Sequence, residues 1–256
     1  LPLPQQVIVE STQLKAPEPE LAPEIELNPN TAMNEWILAV VKDAFQYPRR
    51  THGWSILIPA MVLPIVALVP ILGGVAVLLI AGYLAAYYLH IIGTSTNGDE
   101  KLPDWPSMTN FAEDILWPLF QVLAVSFISI SPTILYSLFQ GEYATDGILG
   151  GLLHLMSAAY FPMACIALVM TDSLFSALPH RVLPAIKRCL PEYWLPVIAL
   201  VCIKVAIVLI EGLSILILPN FLASAAMALI AFYGFIMQAR ITGLTCQRFR
   251  ERIQWG

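Results

Sequence analysis

Apolar positions in this chain come in long blocks rather than in stripes. Uninterrupted runs of the length a bilayer-crossing helix needs, roughly 20 residues, recur at 54–70, 72–92, 116–139, 147–170, 195–218 and 220–240. The pattern predicts an all-α, polytopic transmembrane bundle of six spans, the membrane domain covering 54–240. Residues 54–92 also admit one broken helix. At 1.5 Å per residue, however, a run of about 39 residues is twice the thickness of the bilayer core. Pro70, Gly73 and Gly74 favour a tight reversal there. Pro59, Pro64, Pro132 and Pro162 fall inside spans, where each frees a backbone carbonyl and predicts a kink.

Outside the blocks the pattern changes. Residues 34–47, NEWILAVVKDAFQY, place Trp36, Val40 and Ala44 four apart, with Glu35, Lys42 and Asp43 as polar positions. That spacing predicts an amphipathic helix in the interface plane, within an interfacial segment 34–53. Polar stretches at 106–115 and 173–190 precede later spans in the same way. Residues 1–33 form a Pro/Glu-rich extended arm. LKAPEPELAPEIELNPN buries too little apolar surface to fold alone, so it becomes ordered only against its own membrane domain or a partner. Residues 241–256 read as a basic C-terminal tail. The chain begins at Leu1, with no charged-then-apolar signal-peptide pattern, so a preceding piece has been removed or lies upstream.

Composition supports the membrane class. The chain is 58% hydrophobic and 12% charged, whereas soluble domains carry about 25% charged residues. A net charge of −5 with no basic cluster excludes nucleic acid as a partner. Cys165, Cys189, Cys202 and Cys246 show no metal-binding spacing and read as buried or reduced thiols. With six spans, 12 of the 13 Lys and Arg residues fall on one side, and the thirteenth, Lys204, lies inside span five. By the positive-inside rule both termini are expected on the cytoplasmic side of a cytoplasmic (inner) membrane. Trp54, Trp117 and Trp194 stand at the cytoplasmic starts of the three outward spans, each near a proline, and read as interfacial anchors. They also outline a threefold unit of interfacial helix, tryptophan, span out and span back.

The stretch from about Ala44 to Leu135 resembles a family of bacterial and archaeal multi-pass membrane proteins known as domain of unknown function 4013. AFQYP before the first span, Gly82–Tyr83 in the second and NGDEKLPDW at 97–105 carry the resemblance. It implies a membrane location. It supplies no catalytic residues, and the acidic arm lies outside its pattern.

Candidate chemistry is sparse. His52, His90, His154 and His180 fall at separate depths, with no HExxH or i, i+4 pair, and no nucleophile elbow or phosphate loop is present. Ser129, Ser131 and Thr133, beside Pro132, read as hydroxyls bonded to freed carbonyls. No cofactor, metal or catalytic residue is predicted. HRVLPAIKRCLPEYW at 180–194 reads as a helix lying on anionic headgroups, which makes lipids partners. Gly147 with Gly151, and Ser224 with Ala228, are the small pairs expected to let helices approach closely.

Lys204 and Glu211 are the exception in the oily run of span five. Lys204 lies about 15 Å from the cytoplasmic end of its helix, beyond snorkelling range, where a bare charge costs on the order of 3 kcal/mol. Glu211 is two turns further on the same stripe. The pair lines a polar path, meets a polar group on another membrane subunit, or leaves the amine donating to a backbone carbonyl. The leading expectation is a non-catalytic subunit or scaffold of a larger membrane complex. The alternative is a transporter or channel for an ion or small molecule with its polar site at Lys204 and Glu211.

Overall fold

The computed structural model describes residues 32–50, 72–106, 109–140 and 147–253. The expected span 54–70, Trp54, the kinks at Pro59 and Pro64, residues 1–31 of the arm and residues 254–256 lie outside the described residues. Within them the chain is helical and has no strand. The order is α1 (Met33–Gln46), a 3₁₀ turn (Tyr47–Arg49), α2 (Leu72–Thr96), a widened π turn (Ala112–Leu116) that opens α3 (Trp117–Gln140), and α4 (Ile148–Thr171). A 3₁₀ turn (Leu174–Ala177), α5 (Pro179–Cys189), α6 (Trp194–Ile217) and α7 (Asn220–Ile253) complete it. Five of these helices, α2, α3, α4, α6 and α7, are long and apolar enough to cross a membrane.

Local sequence explains the irregularities. Pro118 cannot donate to the carbonyl four residues back, at Asp114, and the helix widens into a π turn there. Pro132 likewise frees the carbonyl of Ile128, and Ser131 Oγ donates to it at 2.8 Å. Ser157 Oγ on α4 donates across to the Ser129 carbonyl of α3 at 2.6 Å, joining the two helices.

α7 packs along α2 and α6, and α3 packs along α4 and α2. The main core lies where Tyr87, Tyr88, Ile91 and Ile92 of α2 meet Met163–Leu168 of α4 and Phe232, Ile236 and Ala239 of α7. Close approach depends on three glycines. A Cβ on Gly234 would stand 2.0 Å from Ile207 Cδ1, one on Gly82 2.5 Å from Ile115 Cγ2, and one on Gly243 2.7 Å from the Ile92 carbonyl oxygen.

Three expectations need correction. Residues 241–253 are not a tail. α7 runs unbroken for 34 residues to Ile253, because Ile241, Leu244, Cys246, Phe249 and Ile253 continue a buried stripe. Gly147 and Gly151 close no contact with another described helix, since no described atom lies within 4 Å of where their Cβ would be. Ser224 is exposed and Ala228 half-buried. The stripe of α1 is not laid on lipid. Trp36, Val40 and Ala44 are covered by Leu200 of α6 and Met237, Ile241 and Leu244 of α7.

Gly243→Val is expected to lower stability by about 2 kcal/mol or more, because its added atoms meet a helix carbonyl that cannot move aside. Gly151→Ala, in open space, is expected to be neutral or mildly stabilising, within about 1 kcal/mol. Thermal unfolding of the two variants in detergent, followed by size-exclusion chromatography, compares them.

Candidate functional site

α6 is the least covered of the five long helices. Its inner face, Leu200, Ile203 and Ile207, packs on α1 and α7, and Pro196 and Val197 are buried near its start. The rest is open along its whole length, with Val208, Leu209, Leu213, Leu216 and Ile217 all exposed. Lys204 is exposed and Glu211 half-buried on the edge between the two faces. At about 100° per residue they lie some 20° apart around the helix. No ion pair or hydrogen bond joins either to another described residue. The structure therefore brings Lys204 and Glu211 to one edge, and that edge faces away from the described helices rather than in among them.

A second polar constellation sits where α1, α2 and α7 meet. Asp43 accepts from Arg240 Nε at 2.9 Å and from Arg50 Nη2 at 2.7 Å. Arg240 Nη1 also donates to Ser95 Oγ at 3.2 Å and to the carbonyl of Asp99, and the guanidinium lies 4.4 Å over the Tyr47 ring. Asp43 and Arg240 are both nearly sealed from solvent. The chain presents the Asp99 carbonyl because Gly98 turns at φ +86, the left-handed conformation that glycine takes most readily just past a helix end. Tyr47 donates to the Lys101 carbonyl at 3.1 Å. Burial raises its phenol pKa above the ordinary value, and the Arg240 charge opposes that rise.

Two further contacts tie loops to the bundle. Trp105 stacks on Tyr83 at 5.2 Å and on Tyr87 at 4.9 Å, with Phe232 behind it at 6.3 Å. Tyr83 and Tyr87 donate to the carbonyls of Pro106 and Pro103. The α5 corner is held by Arg188 Nη1 on the Ile253 carbonyl at 3.1 Å and by Arg252 with Glu192 at 3.2 Å. Val182, Ala185 and Cys189 face inward on α5, whereas Leu183, Lys187 and Arg188 are exposed. Trp117 and Trp194 are exposed at the starts of α3 and α6.

Sequence reasoning singled out Lys204 and Glu211 but missed the pairing of Asp43 with Arg240. The signal was present. Asp43 falls on the Trp36–Val40–Tyr47 stripe rather than opposite it, and Arg240 stands alone in FIMQARITGL. Each interrupts an apolar face, which calls for a counter-charge. No family model, curated protein or solved structure matches this chain.

Asp43→Ala leaves Arg240 buried without its counter-charge and is expected to cost about 3–5 kcal/mol. Arg240→Met with Asp43→Leu removes both charges and is expected to recover most of that loss. Chemical unfolding of the single and double variants measures the coupling. At α5, burial pushes the Cys189 thiol up to about 11, outweighing the nearby Arg252 and Arg188 that lower it. A raised thiol pKa means less thiolate, so at pH 8 about one thiol in a thousand is ionised. Cys189 is expected to resist maleimide at pH 8 in the folded protein and to label rapidly once unfolded, as peptide mass spectrometry would read.

Proposed function

We propose that this chain is a non-catalytic integral membrane subunit, or scaffold, that assembles with other membrane subunits through the open edge of α6. One observation carries the reading. A lysine ammonium stands about ten residues, or 15 Å, inside a membrane-length helix, on an outward edge with no counter-charge among the described residues. Lipid gives such a group nothing, whereas a neighbouring subunit can.

The reading includes six spans. Arg50 meets Asp43 beside the C-terminal end of α2, and Leu72 begins α2 about 37 Å away, a separation that supports one more crossing between them. It also includes both termini on the cytoplasmic side of an inner membrane, supported by the charge sorting, and α5 resting on anionic headgroups. Membership of the 4013 domain family belongs to the same proposal. Tyr83 and Trp105, within two of the motifs that carry the resemblance, stack on one another.

In the test, tagged full-length chain is extracted from its own membranes in mild detergent and its companions are quantified. Lys204→Met is expected to fold and to lose its companions on the order of a hundredfold, with Lys204→Arg retaining much of the complex. A fully assembled Lys204→Met protein sinks the proposal. If that protein has also lost solute flux, the site serves transport instead.

A further inference from the structure

The occupant of the α6 edge can be described more closely, on the condition that the assembly reading above holds. We propose that it is a transmembrane helix of a different polypeptide, lying along α6 and bringing a carboxylate to the depth of Lys204.

No described residue of this chain supplies that carboxylate. Its 18 acidic residues fall in the N-terminal arm, in α1, in the segments 99–114 and 142–146, at 172, at 192, at 251 and at Glu211. Residues 51–71 contain none, so the part of the chain outside the described residues at that point offers no counter-ion either. Glu211 is seven residues from Lys204, about 10 Å along the helix axis, and no ion pair forms between the two. The headgroup layer is a further turn or more beyond the reach of the lysine stem, because snorkelling works only near helix ends.

A second copy of the chain does not fit. Two copies related by a twofold axis along the bilayer normal would place their α6 helices parallel. Lys204 would then face Lys204 and Glu211 would face Glu211 at equal depth. Pairing unlike charges between parallel copies would require one of them to slip by about 10 Å, which a twofold along the bilayer normal does not allow.

The edge itself has the form of a helix seam. Val201, Lys204, Val208, Glu211 and Ile215 follow one another at spacings of three, four, three and four. That is the alternation along which two helices pack side by side. Val208 is 65% exposed and Ile215 57%, so both apolar positions of the outer half are uncovered. A polar residue within such a seam fixes register and partner at some cost in stability. Here the seam carries one cation and one anion in fixed order, so the complementary helix has a carboxylate facing Lys204 and a donor two turns further facing Glu211. Gly212 and Gly234 need no rearrangement for this. No described atom lies within 4 Å of a Cβ built on Gly212, and Gly234 already holds Ile207 on the adjoining inner face.

The experiment uses the full chain in its native membranes, with a benzophenone amino acid in place of Val208. The expected product is an adduct with a different protein. Its attached helix has an Asp or Glu within one turn of the Lys204 level, and converting that carboxylate to its amide lowers the adduct yield on the order of tenfold. Lys204→Glu is expected to abolish the adduct, and a lysine at the partner's carboxylate position to restore it. An adduct of twice 28.2 kDa would mean a second copy and would overturn the proposal while leaving assembly through α6 intact. A foreign helix without a carboxylate at that level would overturn the charge pairing in the same way. Adducts to lipid alone would sink the assembly reading together with the proposal.

Discussion

The pairing of Asp43 with Arg240 is the contact on which the α1 end of the bundle depends. α1 is a short helix whose stripe of Trp36, Val40 and Ala44 could bind any apolar groove. Its placement becomes specific because the one carboxylate on that stripe meets the one guanidinium buried in the middle of α7. The same guanidinium takes the Ser95 hydroxyl and the Asp99 carbonyl, so the end of α2 and the loop after it are fixed by the group that fixes α1. A buried ion pair adds little net stability over apolar residues of the same shape, but it penalises every arrangement that leaves one partner alone. Its contribution here is selection among ways of closing the bundle.

The same electrostatics apply with opposite outcome on α6. Asp43 and Arg240 find each other within the chain, whereas Lys204 and Glu211 lie on an edge that the other described residues leave open. A water-soluble protein would hydrate such groups. In a helix of this length and apolarity, hydration is available only near the ends. Among the described residues one charged pair is satisfied within the bundle and the other lies on an edge without a counter-charge.

Much of this architecture was legible in the residues because lipid imposes a simple rule: a helix that crosses must be apolar for its whole length. The extents of α2, α3, α4 and α6 follow from it to within a few residues of the blocks read from sequence. α7 was misjudged because arginines normally mark the exit from lipid. Arg248, Arg250 and Arg252 do alternate with Phe249 and Ile253, and that alternation keeps one face buried after the other has turned polar. The small-residue pairs were misjudged for a related reason. Spacing shows where close approach is permitted, not which neighbour arrives. Gly147 and Gly151 permit it and nothing described comes near, whereas Gly234 and Gly243 are met by Ile207 and by the backbone of Ile92. Asp43 and Arg240 lie 197 residues apart. Local pattern could show that each lacked a partner, but not that each was the other's.

α7 joins the two halves of the molecule as a single rod. Thirty-four residues span about 51 Å, against a hydrocarbon core of about 30 Å. One stretch is wedged among α1, α2 and α5, and the other runs beside α6. No proline or break lies between them to absorb a change of angle. A thicker or thinner bilayer alters the lean of an embedded helix. In α7 an unbroken rod would carry such a lean along its whole length as leverage, so that a change of membrane thickness would act on the Glu192–Arg252 corner at its far end.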